Sequence, residues 1–337
     1  MSETTGCQIV TRALRNIRVA QAGQPTKASD MSKGIDALNT IVKSWIADGL
    51  HLWKDKEGVV FLEKGRKSYD LGSPSGLACS DDGCKYDAVQ INTVHATSGD
   101  WVLTKTTSAA IVGESTINIE SLFSYAGVKY NTACAMNIGF INSVGIMDWY
   151  SVATVLDLEI GIACEFTADI PEGETVYIYR EADQMDKPLK IYQDNVRLLQ
   201  VSANYELPLY MLSMTDYNLL PDKHTEGVPV QMFYTPQKTS SQVIVWPVSY
   251  DYKNVLLFRF QSPLSAFSSE TETPDFPEEW FRALEWALSS ELAIQYGLPL
   301  DRQAALDARA ASLKSQAEDW DQDNSSLYIY PRQWGQS

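Results

Sequence analysis

Hydrophobic periodicity changes twice along this chain, and that change constrains the fold more than any other feature. Near both ends apolar residues recur every three to four positions, the spacing of an amphipathic helix. Between the ends they fall in short β-branched and aromatic runs bounded by turn formers, the pattern of strands. Residues 7–21 place Ile9, Val10, Ala13, Leu14, Ile17 and Ala20 on one helical face, and Gly23–Gln24–Pro25 breaks the run. Asp30 is placed to cap a second helix whose stripe is Ile35, Leu38, Ile41, Val42, Trp45 and Ile46, with Gly49 at the expected left-handed C-terminal cap. Pro277, at the favoured first helical position, opens a run of Trp280, Phe281, Leu284, Leu288, Leu292 and Tyr296 that Gly297 closes. Asp301 is expected to cap a last helix carrying Ala305, Leu306, Leu313, Ala317 and Trp320.

The middle reads differently. Val59–Leu62, Gln90–Leu103, Trp149–Val155, Thr175–Tyr179, Val228–Tyr234, Gln242–Trp246 and Val255–Phe260 are strand-like, and no helix of crossover length separates them. Antiparallel hairpins are therefore expected rather than βαβ units. In Thr175–Tyr179 and its continuation, Val176, Ile178 and Arg180 fall on one face, with Tyr177 and Tyr179 on the other. Ser213 capping and Asp216 reaching back predict one short helical turn. The fold class is α+β. It comprises a helical body built from the N- and C-terminal helix pairs, with a large, mainly antiparallel β domain between them, as a sandwich or open barrel. The boundaries are residues 1–49 for the first hairpin, 50–265 for the β domain, 270–322 for the second helical pair and 323–337 for an extended tail. Neither helical pair buries its stripe alone, so the two are predicted to share one core containing Trp45, Trp280, Leu284 and Leu288.

Charge excludes several functions. With 27 basic against 43 acidic residues and a net charge of -16, the chain lacks the basic surface that neutralises phosphates or anionic membranes. Its longest apolar runs, such as Val255–Phe258, are far below a bilayer span, and Met1–Val10 does not read as a signal peptide. Manufacture in the cytoplasm as a soluble chain is the expectation.

Chemistry-bearing motifs are sparse. The five cysteines (Cys7, Cys79, Cys84, Cys134, Cys164) are too scattered for a disulfide framework. Cys79 and Cys84 flank a turn-like Ser80–Asp81–Asp82–Gly83 and read either as a local clip or as two reduced thiols. His51, His95 and His224 do not share zinc-ligand spacing. There is no Walker A loop, dinucleotide fingerprint or H-E-x-x-H pair. Gly72–Ser73–Pro74–Ser75–Gly76 has Pro74 where a hydrolase nucleophile would sit. Asp81, Asp82 and Asp87 do not match a calcium loop. Glu278 and Glu279 sit at a helix start, where they favour the dipole. Trp280 and Trp286 read as core or as a ligand platform. No catalytic residue, metal or cofactor is predicted.

Two surface features are candidate docking elements. Arg12, Arg15 and Arg18 recur at three-residue spacing, as a stripe for an acidic partner or as a solvated helix face. Leu327, Tyr328, Ile329, Tyr330 and Trp334 form an apolar cluster beyond the last helix, separated from it by Asp319, Asp321 and Asp323. Such a peptide suits docking onto a partner, or folding back as an edge strand.

Particular words carry a resemblance. Gly23–Gln24–Pro25–Thr26, Ala37–Leu38–Asn39 and Lys43–Ser44–Trp45–Ile46–Ala47–Asp48–Gly49–Leu50–His51–Leu52–Trp53–Lys54 resemble the N-terminal region of phage head-to-tail adaptor proteins, of the head completion type found in short-tailed phages. So do Asp275–Phe276–Pro277–Glu278–Glu279–Trp280, Ala283–Leu284–Glu285–Trp286–Ala287–Leu288 and Glu291–Leu292–Ala293–Ile294–Gln295–Tyr296–Gly297. Leu220–Pro221–Asp222–Lys223 and Val245–Trp246–Pro247 lie between them. The similarity spans most of the chain, although Cys79–Lys85 and Tyr125–Ala135 match no such word. The resemblance implies a structural virion protein at the head–tail junction. It would form a homo-oligomeric connector ring, usually of twelve copies, that binds the portal protein, extends the DNA channel and docks a tail nozzle or tail hub protein. DNA would pass without specific binding; charge repulsion, reaching about 8 Å at physiological salt, keeps it from sticking. The portal-docking role of Leu327–Trp334 follows from that implication. The alternatives are a tail nozzle or tube subunit, and a glycan hydrolase whose β-sandwich holds a pair of carboxylates.

Overall fold

The computed structural model describes residues 5–21, 26–48, 55–72, 94–130, 135–237, 240–263 and 277–320. The chain divides into two compact units, one from Met1–Lys54 with Leu264–Ser337 and one from Asp55–Pro263. The class is α+β, with the large β unit inserted between N- and C-terminal helices.

The helical unit contains α1 (Gly6–Asn16), α2 (Ala28–Asp48), α4 (Glu278–Gln295) and α5 (Leu300–Trp320); α3 (Met214–Leu219) lies in the other unit. One core joins all four helices. It contains Ile9, Val10 and Leu14 from α1, Leu38, Val42 and Trp45 from α2, Trp280, Leu284, Leu288 and Leu292 from α4, and Leu313 and Ala317 from α5. Trp45 and Trp280 meet edge to face with ring centroids 5.4 Å apart. Where α1 and α2 approach, a Cβ on Gly34 would stand 2.3 Å from Val10 Cγ1, so only glycine permits that spacing. Polar ties register the helices. Asn16 Nδ2 donates to Glu285 Oε1 (2.9 Å) and to Ser289 Oγ (3.2 Å), while the Tyr296 hydroxyl donates to Asp30 Oδ1 (2.8 Å). Burial, followed by the Asp30 carboxylate, pushes the Tyr296 hydroxyl up to about 12.

Helix ends correct the sequence reading in four places. α1 stops at Asn16 because Arg18 adopts a left-handed conformation (φ 63°) and Val19 N–H turns back to the Leu14 carbonyl. α2 begins at Ala28, two residues before Asp30, which lies in the first turn instead of capping. Pro277 is the N-cap of α4, so the first helical residue is Glu278. α5 begins at Leu300 after Pro299, which puts Asp301 inside the helix. Gly297 does end α4: at φ 66° it lets Gly297 N–H reach Ile294 O and Leu298 N–H reach Ala293 O, closing a Schellman motif. Gly49 lies outside the described residues.

The β unit carries β1 (Asp55–Phe61), β2 (Ser68–Leu71), β3 (Ala96–Thr97), β4 (Trp101–Lys105), β5 (Thr116–Asn118), β6 (Met136–Ile141), β7 (Met147–Leu156), β8 (Glu159–Ile162) and β9 (Thr175–Arg180). They are followed by β10 (Lys190–Gln200), β11 (Tyr205–Pro208), β12 (Tyr210–Leu212), α3 (Met214–Leu219), β13 (Glu226–Gly227), β14 (Gln231–Pro236), β15 (Ser241–Trp246), β16 (Val248–Ser249) and β17 (Asn254–Gln261). Ser213 Oγ accepts from Asp216 N–H at the start of α3, as its sequence predicts. Three larger sheets form, in strand orders β11-β10-β17-β1-β3, β12-β14-β15-β2 and β4-β9-β6-β7-β8-β5, with a small β13-β16 pair. Pairing is antiparallel except at β12–β14 and β13–β16.

These sheets stack in layers. The sheet centred on β17 has two apolar faces, since successive side chains alternate. Leu256, Phe258 and Phe260 face one core with Tyr69, Leu71, Met232, Val243 and Val245 from the β14–β15 sheet. Val255 and Leu257, with Val59 and Phe61 of β1, face a second core with Trp101, Tyr177 and Tyr179 from the β9 sheet. The reverse face of that sheet, through Val102, Ile138, Phe140, Val176 and Ile178, packs under loop residues including Ile119, Phe166 and Ile170. The predicted alternation in β9 is therefore present, but both of its faces are buried. Neither a two-sheet sandwich nor a barrel describes this stack.

Phe61 is the centre of the second core, 4.9 Å from Tyr177, 5.3 Å from Trp149 and 5.5 Å from Trp101. His95 stacks on Trp149 at 4.0 Å, and its Nδ1 pairs with the Tyr179 hydroxyl at 2.9 Å. Burial, with a lesser push from Arg66, lowers the His95 imidazole to about 3. At the rim, Arg197 bridges Glu57 of β1 and Glu206 of β11, and Tyr125 donates to Glu206.

Candidate functional site

The arginines named as a stripe do not form one. Arg12 and Arg15 are exposed on α1, three residues apart, whereas Arg18 lies past the helix end in its left-handed cap. None of the three forms an ion pair with another described residue. The structure thus leaves two guanidinium groups on one helix without an ion-pair partner among the described residues, and a third displaced by the chain reversal. The tail candidates Leu327, Tyr328, Ile329, Tyr330 and Trp334 lie outside the described residues, as do Cys79, Cys84 and Cys134.

Of the two tryptophans weighed as ligand platforms, Trp280 is core, at 3% exposure. Trp286 is half-buried, with the Arg309 guanidinium 5.7 Å above its ring. Glu278 and Glu279 are exposed in the first turn of α4, where the helix dipole favours them. Among the described residues, no group of three or more His, Cys, Asp or Glu side chains is placed to hold a metal. No helix among them is long and apolar enough to cross a membrane.

One concavity in the β unit was not legible from spacing. It is a cleft of about 310 Å³ where four connections converge: the turn after β1 (Lys64), the β6–β7 turn (Asn142), the approach to β9 (Glu174) and the turn before β17 (Tyr250, Tyr252, Lys253). Three of the four connections are held by a buried polar side chain. Asn142 Oδ1 accepts from Val144 and Ile146 N–H, while its Nδ2 donates to Asp148 Oδ2 at 2.8 Å. Thr106 Oγ1 donates to the Pro171 carbonyl and accepts from Glu174 N–H. Asn254 Nδ2 donates to Asp251 Oδ1 (2.7 Å) and Ser249 Oγ (2.9 Å). Burial raises the Asp148 carboxyl above its ordinary range, against the Asn142 hydrogen bond. These bonds make a loop-built cleft rigid.

Its carboxylates have assigned partners. Lys253 Nζ lies 3.3 Å from Glu174 Oε2, and Asp251 Oδ1 takes the Lys253 and Asn254 N–H donors. No protein-family model and no curated protein sequence matches the chain.

Proposed function

We propose that the chain is a structural virion subunit, a head-to-tail adaptor that forms a ring below a phage portal and hands the DNA channel on to the next tail component. One observation carries the reading. The words that resemble adaptors are far apart in sequence, around Trp45 and around Trp280, and these two residues pack against each other in one core. The longest resembling words fall in segments that build a single four-helix unit, as a shared assembly module would leave behind. The acidic balance fits a channel that DNA passes without sticking. In this role the chain needs no cofactor, works as one of usually twelve copies, and meets the portal on one side and a nozzle or hub protein on the other.

Cross-linking mass spectrometry on assembled virions tests the assignment. Links between the helical unit and the portal protein are expected. Links to other tail proteins with none to the portal would instead make the chain a nozzle or tube subunit.

A further inference from the structure

Two turns of the β unit end in exposed apolar side chains. Ile111 and Val112 precede the left-handed Gly113, and Val144 and Ile146 flank the left-handed Gly145 in the β6–β7 turn; all four side chains are between 48% and 75% exposed. The turns meet at Asp169. Its Oδ1 accepts from Val112 N–H (3.0 Å) and its carbonyl from Ser143 N–H (2.8 Å). Asn142 Oδ1 holds the second turn by accepting from Val144 and Ile146 N–H. Four aliphatic side chains are thus presented together on turns whose backbone donors are already engaged. Apolar residues exposed singly need no explanation, but a contiguous group rimmed by polar residues marks an interaction surface.

The rim decides the chemistry of the partner. From Thr106 to Tyr179 the sequence carries nine acidic residues and one basic residue, Lys129, and so holds half of the net charge of -16. Glu114, Glu165, Asp169 and Glu172 are exposed there. Glu114 and Glu165 are brought together where Phe166 N–H donates to the Glu114 carbonyl and Gly113 N–H to the Phe166 carbonyl. Two ammonium groups from elsewhere, Lys64 and Lys253, line the cleft that Ser143 and Gly145 also line, and Lys253 is paired with Glu174. Nucleic acid and anionic membranes are repelled by such a rim, whereas a basic protein surface complements it.

One segment of this same chain has that chemistry. Residues 5–29 carry Arg12, Arg15, Arg18 and Lys27 and no acidic residue. The three arginines are exposed and form no ion pair with another described residue, and Val19 beside them is an exposed apolar contact. We infer that α1 of one copy seats on the apolar turn patch of the next copy, with its guanidinium groups against the carboxylates of the rim. The two surfaces differ, so the contact is heterologous, and repeated about a rotation axis it closes a ring. The inference rests on the ring reading and names the contact between neighbours. Four side chains cover less than the roughly 800 Å² per partner of a stable pair, and copies of like net charge repel. The chain is therefore monomeric when dilute, and the contact forms where a portal holds copies side by side at high effective concentration.

Sedimentation velocity on the concentrated full chain at physiological salt, without portal, tests it. The weight-average mass should rise with concentration. Arg12→Glu with Arg15→Glu, and separately Glu165→Lys with Glu172→Lys, should each weaken association by roughly tenfold or more. An equimolar mixture of the two variants should associate as the unaltered chain does, because each altered surface then meets its complement. Val144→Ser should weaken association too, which charge attraction alone would not produce. All variants should melt as the unaltered chain does, since the replaced side chains are exposed and have no ion-pair partner among the described residues. Absence of association in the unaltered chain, or a mixture as dissociated as its components, overturns the contact. Portal binding lost by the α1 variant but kept by the turn variant would assign α1 to the portal and overturns it as well. Failure of the self-contact is read without portal, so it is distinct from failure of the adaptor reading, which shows as an unaltered chain that does not bind portal.

Discussion

Acidification should weaken the β unit through His95 before it does so through any surface group. The imidazole is 6% exposed, stacked on Trp149 and bonded to Tyr179, and burial holds it neutral down to about pH 3. In the unfolded chain the same ring titrates near 6.5. Above pH 6.5 it is neutral in both states and costs nothing. Below that, the unfolded state binds a proton that the folded state refuses, so stability falls as pH drops, over the window from 6.5 to about 3. The slope is about 1.4 kcal/mol per pH unit, which makes the loss at pH 5 about 2 kcal/mol. Glu63 and Asp148, whose folded values are raised, titrate in the same chain with the opposite sign. The comparison must therefore be made against His95→Phe, which retains both carboxylates and keeps a ring against Trp149. Urea unfolding at pH 7, 6 and 5, followed by circular dichroism with hydrogen exchange to assign the transition to the β unit, measures the difference. Wild type should lose about 2 kcal/mol more than His95→Phe between pH 7 and pH 5. Parallel pH dependence in the two chains would refute the claim that this histidine is buried neutral.

Other perturbations probe the helical unit. Leu284→Ala, at a fully buried position of the shared core, should cost about 2–5 kcal/mol in a denaturant titration, and a loss below about half a kcal/mol would show that this face is not core. Gly34→Ala should destabilise by about 1–3 kcal/mol despite alanine's better helix propensity, because the new methyl meets Val10; a raised melting temperature would mean that α1 and α2 can part freely. Arg18→Gly should stabilise by about 0.5–1 kcal/mol by relieving the left-handed cap, net of the entropy glycine adds to the unfolded chain, and thermal melting reads the sign. Deleting Ser326–Ser337 should leave melting unchanged and abolish portal binding; if the truncated chain binds the portal equally well, the exposed face of α1 with Arg12 and Arg15 becomes the better docking candidate.

Periodicity located the helices because each retains a polar side, which leaves a visible stripe. It misplaced their ends where long-range contacts intervened. Asp30 looked like a cap, yet its carboxylate receives the Tyr296 hydroxyl from the other end of the chain. The end of α1 was invisible because an arginine occupies the left-handed position that glycine usually marks. β6, with all six residues buried, was missed because Asn137 and Gly139, both poor strand formers, interrupt its apolar run. β10 was missed because a register shift between Ile191 and Val196 interrupts it with exposed Gln193, Asp194 and Asn195. The cleft was illegible because its residues come from four turns between Lys64 and Lys253 and share no spacing. Core membership was more legible: the apolar stripes of α1, α2 and α4 make up most of the helical core, and Trp45 meets Trp280.

The adaptor reading rests on assembly, and the most direct measurement is the mass of the purified chain by multi-angle light scattering, alone and mixed with the portal ring of the same virion. The account predicts a chain that stays monomeric alone and, with portal present, a complex heavier by one adaptor copy per portal subunit. A mixture in which portal and chain elute separately, each at its own mass, would contradict it.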